Sequence, residues 1–162
     1  MQLCIFGCFP IGSNPVINFN TSAVTFKPPA CTTPGVVVVL PTVYVSSFTG
    51  PGSTAGQTPF SVQFTCSIGT KSPQVVLSTS NLQPDTTSVI EPTTGSGYAQ
   101  NVGVQILDGN GNAVTLGTSA YSAGTTANGA YNVSFYARYY QVGASVTAGQ
   151  VHAVATYTLT YQ

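Results

Sequence analysis

The sequence VHAVATYTLTYQ, residues 151–162, has the clearest periodicity in the chain. Its odd-numbered positions are apolar or aromatic: Val151, Ala153, Ala155, Tyr157, Leu159 and Tyr161. Its even-numbered positions are mostly polar: His152, Val154, Thr156, Thr158, Thr160 and Gln162. Successive side chains of a strand point to opposite faces, so this period of two predicts a half-buried β-strand. A strand that ends at a free carboxylate is also well placed for pairing with a strand of another chain.

Similar signals recur upstream. The stretch 59–66 (PFSVQFTC) alternates, and the continuous run 36–40 (VVVVL) predicts a strand that is buried on both faces. Turn-rich linkers such as 50–58 (GPGSTAGQT) separate the candidates. Further strands are predicted at 16–26, 43–48, 74–78, 101–107, 113–116, 131–140 and 150–161. About eight or nine strands at this spacing are typical of an immunoglobulin-like β-sandwich.

The composition agrees with an all-β chain. The sequence has 20 Val and 23 Thr against 7 Leu, and β-branched residues favour strands over helices. A length of 162 residues predicts one domain. Three basic and three acidic residues give zero net charge, which predicts neither a nucleic-acid partner nor an anionic membrane. The longest aliphatic run has five residues, too few for a membrane-spanning helix.

Few residues are available for catalysis. The only histidine is His152, predicted to face solvent, and the only carboxylates are Asp85, Glu91 and Asp108, all in predicted loops. The loop that begins at Asp108 (DGNGN) lacks the glycine and the glutamate of a calcium-binding loop, and its Asn-Gly pair predicts a hairpin turn. Arg138 is interpreted as a charge on an edge or surface strand. We therefore predict a protein that is not an enzyme and uses neither a metal nor a cofactor.

The four cysteines favour an exported protein with disulfide bonds. Cys31 and Cys66 each lie at the end of a predicted strand, and we predict that they pair. Cys4 and Cys8 can close a small ring or pair with partners outside this sequence. Residues 1–12 lack a basic segment and contain Gly and Pro, which is a poor match to a secretory signal. We therefore expect an export signal upstream of this sequence, or one that has been removed.

Several motifs, taken in order, resemble one family. They are Cys31 before VVVVLP, PFSVQFTCS at 59–67, GVQILD at 103–108, FYARYY at 135–140 and VTAGQVHAVATYTLTYQ at 146–162. Tyr161 is a penultimate aromatic residue, and Gly149 is fourteenth from the end. Over residues 16–162 the chain resembles the pilin domain of bacterial chaperone–usher fimbrial subunits of the type 1-like kind.

The resemblance implies an immunoglobulin-like sandwich that lacks its last strand and is completed by donor-strand complementation. It also implies three partners: a periplasmic chaperone, an outer-membrane usher and a neighbouring fimbrial subunit that exchanges a strand. The protein would then be a structural subunit that mediates adhesion, exported through the periplasm to the cell surface. The residues implied to bind the chaperone or the donor strand are Gly149, Val151, Ala153, Ala155, Tyr157, Leu159, Tyr161 and Gln162.

Residues 1–15 allow two interpretations. The alternation of Leu3, Ile5, Gly7, Phe9 and Ile11 fits a donor strand for a neighbouring subunit. Alternatively, 16–162 is the pilin domain of a two-domain tip adhesin, and the preceding residues are a linker or the tail of a lectin. A host glycan would then bind only through that upstream domain.

A different class of protein, a self-sufficient carbohydrate-binding sandwich, is the second hypothesis. Its stacking platforms would be Tyr136, Tyr139 and Tyr140. Strand alternation opposes this hypothesis, because it predicts that Phe135 or Tyr136 belongs to the core.

Overall fold

The computed structural model of the protein describes residues 31–66, 73–123 and 129–160. Within these ranges the chain forms eight β-strands and one short 3₁₀ helix, Val45–Ser47. The strands are β1 (Cys31–Thr32), β2 (Thr54–Cys66), β3 (Gln74–Ser78), β4 (Val89–Ile90), β5 (Val102–Asp108), β6 (Ala120–Ser122), β7 (Gly129–Gln141) and β8 (Thr156–Thr160).

The strands form two antiparallel sheets. One sheet has the order β1-β2-β7-β5-β4, and the other has the order β6-β3-β8. The long pairing of β2 with β7 runs from Thr54–Tyr140 to Cys66–Gly129 and contains a bulge between Ala55 and Thr58. The all-β class and the immunoglobulin-like sandwich predicted from the sequence are confirmed.

The core lies between the sheets and follows the alternation of the strands. In β2, Val62 and Phe64 are buried while Gln63 faces outward. In β7, Tyr131 stacks on Phe64 with ring centroids 5.3 Å apart, and Phe135 is fully buried. Alternation therefore predicts correctly which face of each long strand is inside.

Some predicted strands are wrong. Residues 36–40 form no ladder with another described strand, and Val37 and Val39 are 90% and 80% exposed. Residues 43–48 contain the 3₁₀ helix, and 113–116 make only one bridge, Leu107 to Ala113. The last strand begins at Thr156 instead of residue 150. Residues 16–26 lie outside the described ranges.

Two local predictions on single residues have different outcomes. The Asn-Gly turn is confirmed, because Gly111 has φ +85° and its N–H donates to the Asp108 carbonyl at 3.0 Å. An edge position for Arg138 is wrong, because β7 lies inside its sheet between β2 and β5. There the Arg138 Nε donates to Gln105 Oε1 at 2.8 Å, and the Gln105 amide donates to Ser88 Oγ at 3.0 Å. The arginine therefore joins a polar network across the sheet.

Candidate functional site: an open groove between the sheets

A groove opens between the two sheets and exposes the apolar core. It encloses a cavity of about 640 Å³. Its floor is formed by inward-facing residues of β2, β4, β5 and β7, namely Phe60, Val62, Ile90, Val104, Ile106, Ala137 and Tyr139. Its two rims are residues 35–40, here called the valine rim, and residues 151–159, here called the C-terminal rim.

The C-terminal rim directs its odd-numbered side chains toward the core. Val151, Ala153, Tyr157 and Leu159 are half-buried and pack against the core, while Ala155 is exposed but still lines the cavity. The even-numbered side chains are exposed, and Val154 remains 62% exposed. The predicted alternation is therefore present, although the apolar face of this segment is only partly covered.

The backbone of the C-terminal rim is paired along one edge. In an antiparallel ladder a residue sends its N–H and C=O to one side, and its neighbours send theirs to the other. The Leu77 carbonyl accepts from Gly117 N at 2.6 Å, on the side away from β8. Leu77 faces Tyr157 in the register, so the Tyr157 backbone groups also point away from β3.

The same parity continues toward the start of the rim. The His152 carbonyl accepts from Thr93 N at 2.8 Å, and the Val154 carbonyl accepts from Thr79 Oγ1 at 3.0 Å. Within the described part of the chain, no hydrogen bond reaches the backbone groups of the odd-numbered residues 151–159. These N–H and C=O groups form an open edge beside the apolar groove.

The valine rim also has an unpaired backbone. Among the described residues no backbone hydrogen bond involves 33–43. Val38 and Leu40 pack against the core, whereas Val37 and Val39 face solvent. One side-chain contact joins the C-terminal rim to the residue that precedes the valine rim, because Tyr157 Oη donates to the Pro34 carbonyl at 2.6 Å. The groove is thus bounded by the valine rim, which has no strand partner among the described residues, and by the C-terminal rim, which is paired with a strand on one edge only.

A second cavity of about 610 Å³ extends the groove and shares Tyr139 and Val151 with the first. Gly149 lines this extension and lies against the backbone of Tyr98 and Ala99, where a Cβ would collide. In this structure Gly149 permits close packing of the segment that leads into the C-terminal rim. Its predicted role toward a partner strand remains a prediction.

The remaining predicted site residues are placed as follows. Cys31 and Cys66 form a disulfide at the pairing of β1 with β2. Cys4, Cys8, Tyr161 and Gln162 lie outside the described residues. The sequence reasoning did not identify the valine rim or Tyr139 as parts of the groove. The run of four valines was the available signal for the rim, but it was interpreted as a fully buried strand.

The ionisable side chains differ in their exposure and in their hydrogen bonds. His152 is exposed, and its Nδ1 lies 3.4 Å from Thr93 Oγ1. The backbone N–H of Asn112, with that of Asn110, donates to the Asp108 carboxylate and holds its pKa below the usual value. Burial raises the pKa of the Tyr139 hydroxyl. The described residues contain no cluster of three His, Cys, Asp or Glu side chains fit to hold a metal ion.

The fold is an immunoglobulin-like sandwich with an open apolar groove between its two sheets. A model of the family described as Fimbrial protein matches residues 17–162. The type-1 fimbrial protein A chain of Escherichia coli is 36% identical over 115 residues, which cover 68% of this chain. The chain spans only 62% of that relative's length. This protein belongs to the fimbrial protein family.

Solved structures agree on the fold. The P pilus rod subunit PapA has a TM-score of 0.63 at 16% identity, over 82% of this chain and 99% of PapA. A subunit of a chaperone–usher pilus has a TM-score of 0.59 at 16% identity, over 96% of this chain and 99% of that subunit. The chain therefore has the fold of these pilus subunits. Fimbrial subunits of such pili are structural proteins that are exported to the cell surface as fimbriae.

The tyrosines of the carbohydrate-binding hypothesis do not form one platform. Tyr136 and Tyr140 project from the outer face of β7, whereas Tyr139 lies on the inner face and lines the groove. All three are half-buried, and Phe135 between the sheets is fully buried.

The described residues contain no helix of the length and hydrophobicity needed to cross a membrane.

Proposed function

We propose that the protein is a structural, adhesive subunit of a chaperone–usher fimbrium, and that its groove accepts a β-strand from a neighbouring subunit. One observation carries the proposal. The open backbone edge of residues 151–159 lies beside an apolar groove, and the opposite rim has no strand partner among the described residues. An added strand supplies backbone hydrogen bonds to an edge and places alternate side chains in pockets.

The exposed apolar surface supports the same function. Three of the large apolar side chains that are exposed in the described residues line the groove or its extension, namely Val36, Val39 and Val45. Contiguous exposed apolar surface marks an interaction site in a soluble protein. A strand edge without cover is also an aggregation hazard. The isolated chain therefore needs a partner on this groove.

Two further partners follow from this need. A periplasmic chaperone would occupy the groove before assembly by lending a strand against the C-terminal rim. An outer-membrane usher would then receive the complex, and the donor strand of the next subunit would replace the chaperone. The role is structural and involves no reaction, and it requires neither a metal nor a cofactor.

A donor segment is available in the chain itself. Leu3, Ile5, Gly7, Phe9 and Ile11 alternate with the period that the groove residues require. We assign residues 1–15 as the strand donated to the next subunit and 16–162 as the pilin domain. In the tip-adhesin alternative, residues 1–15 serve as a linker, and the groove keeps the same function.

The test uses the full oxidised chain and two peptides in large excess. The first, the donor peptide, is residues 1–15 with Cys4→Ser and Cys8→Ser; the second, the designed peptide, alternates valine with threonine around a central glycine. Scrambled versions that break the alternation are the controls. A strand that binds only the folded state adds about 2.7 kcal/mol to the unfolding free energy at one hundred times its Kd.

We expect at least one alternating peptide to raise the urea midpoint, while its scrambled version has no effect. Stabilisation by the designed peptide alone supports strand binding in the groove and contradicts the assignment of residues 1–15 as the donor. If neither peptide changes the midpoint and the chain unfolds cooperatively by itself, the sandwich is complete and the proposal is wrong.

A further inference from the structure

Tyr139 lies where the two cavities of the groove meet. It lines both of them, and Val151 on the C-terminal rim is the only other residue that does so among the described residues. Its side chain points inward from β7, like Phe135 and Ala137. Any strand that fills the whole groove has to pass this ring.

The local backbone holds the Tyr139 ring in place. Opposite it, β2 bulges between Ala55 and Thr58, and Gly56 within the bulge has φ +66°. A Cβ on Gly56 would lie 3.1 Å from Tyr139 Cδ2 and 3.1 Å from Val43 Cγ1. Only glycine combines this conformation with so little space. The bulge and the glycine therefore provide the room that the ring occupies.

The Tyr139 hydroxyl differs from that of Tyr157. Tyr157 Oη donates to the Pro34 carbonyl, whereas Tyr139 Oη has no hydrogen-bond partner among the described residues. While the groove is open, water can solvate the Tyr139 hydroxyl. A strand seated in the groove would displace that water, and a buried hydroxyl without a hydrogen-bond partner is destabilising. The seated strand therefore has to supply an acceptor at this position.

We propose that Tyr139 sets the register of the incoming strand by donating a hydrogen bond from Oη to one of its backbone carbonyls. The inference rests on the proposed function of the groove. In the correct register a carbonyl meets the hydroxyl. A shift by one residue turns that carbonyl away and also moves the apolar side chains to the wrong face. Tyr139 is thus a specificity-determining residue for strand binding.

The test compares two variants that each remove one hydroxyl from β7. Tyr139→Phe removes it inside the groove, and Tyr136→Phe removes it on the outer face as the matched control. Whichever alternating peptide binds the unsubstituted chain is titrated into all three proteins. We expect Tyr139→Phe to weaken binding about three- to tenfold, the range for one hydrogen bond, and Tyr136→Phe to leave it unchanged.

Spectroscopy gives a readout that is independent of affinity. The chain has no tryptophan, so its near-ultraviolet absorption comes mainly from tyrosine. Peptide binding should produce a tyrosine difference spectrum that is reduced in Tyr139→Phe, where Tyr157 supplies the remainder, and unchanged in Tyr136→Phe. The urea midpoint of each variant without peptide shows that both are folded.

The register is located by replacing each peptide amide with an ester in turn, because an ester carbonyl is a weaker acceptor. We expect the effect of one ester to shrink in Tyr139→Phe while the effects of the others stay the same. Equal binding to Tyr139→Phe and the unsubstituted chain, or no ester coupled to Tyr139, overturns the inference and leaves the groove function intact. If no alternating peptide binds the unsubstituted chain, the proposed function fails and the inference fails with it.

Discussion

β7 and the C-terminal rim have the same alternating pattern but different surroundings. β7 pairs with β2 on one edge and with β5 on the other, and its inward Phe135 is fully buried. The C-terminal rim pairs on one edge only, and its inward Tyr157 and Leu159 remain half-buried. An alternating sequence thus determines which face of a strand is apolar, while neighbouring strands determine whether that face is covered.

The comparison explains the groove. Apolar side chains that face the core of a complete sandwich would be buried by the next strand. In this chain the next strand is absent from the described residues. The C-terminal rim therefore carries apolar side chains typical of a core, although they remain partly exposed. The following predictions test the contrast between the closed sheet and the open groove, starting with the largest expected effect.

Truncation of Phe135 should have the largest effect. Phe135→Ala removes a fully buried ring that contacts Phe60 and Tyr121, at centroid distances of 5.6 Å and 5.3 Å. We expect the unfolding free energy to fall by about 3–5 kcal/mol, measured by urea denaturation. The matched Leu159→Ala on the open rim should cost only about 1 kcal/mol, because that side chain is already partly hydrated. Equal losses would contradict the distinction between the two regions.

Loss of the Cys31–Cys66 disulfide should have a similar or slightly smaller effect. The bridge spans 35 positions, and opening it restores chain entropy to the unfolded state. The double replacement of both cysteines by alanine should lower the unfolding free energy by about 3–4 kcal/mol in the loop-entropy model. Denaturation with and without a reductant measures this effect on the unsubstituted chain. A reductant should not change the midpoint of a variant in which Cys4 and Cys8 are replaced as well, and this cysteine-free variant serves as the control.

A charge placed in the groove should prevent strand binding. Ala153→Glu puts a carboxylate on the inward face of the rim, whereas Val154→Glu puts it on the exposed face. Burial of an unpaired charge is costly, so we expect the first variant to weaken peptide binding by about one hundredfold or more and the second to have little effect. Calorimetric titration of the alternating peptides measures both. Similar binding by the two variants would place the peptide outside the groove.

The smallest effect is expected at the Asp108 turn, which does not line the groove. Its carboxylate accepts hydrogen bonds from the N–H groups of Asn110 and Asn112, each at 2.9 Å, and its pKa is lowered in the folded state. Stability from this group is therefore fully present above its unfolded pKa and is lost as the pH falls through the folded value. Asp108→Asn should remove less than about 1 kcal/mol near neutral pH.

The pH dependence of the unfolding free energy distinguishes the contribution of the Asp108 carboxylate from that of the other carboxylates. Urea midpoints measured from neutral to acidic pH should converge for Asp108→Asn and the unsubstituted chain once the carboxylate is protonated. A constant difference between them at every pH would mean that the charge has no part in stabilising the turn.

Much of the closed sandwich could be predicted from the sequence. The alternation of 59–66 and 131–140 located β2 and β7, because their own residues determine the buried faces. The bounds of β8 could not be predicted in the same way. Residues 151–155 alternate as well as 156–160 do, but β3 ends at Ser78 and provides no ladder beyond Thr156.

The candidate site was predictable in part. The odd-numbered residues from Val151 to Leu159 were identified from their pattern, and the structure places them along the groove. The valine rim was misinterpreted because a run of apolar residues indicates affinity for a core and does not reveal whether a covering strand is present. Tyr139 was assigned to an exposed platform, since the bulge at Gly56 that accommodates its ring has no local sequence signature.

The open edges of the two rims also have a mechanical consequence. A strand seated between the C-terminal rim and the valine rim would be hydrogen-bonded along both edges. A force along the axis of that strand would load all of these bonds in shear, so that they would have to break together. A force across the axis would instead peel them apart one after another. A joint of this geometry is strongest in the direction in which the strand runs, which is what a thread under tension requires.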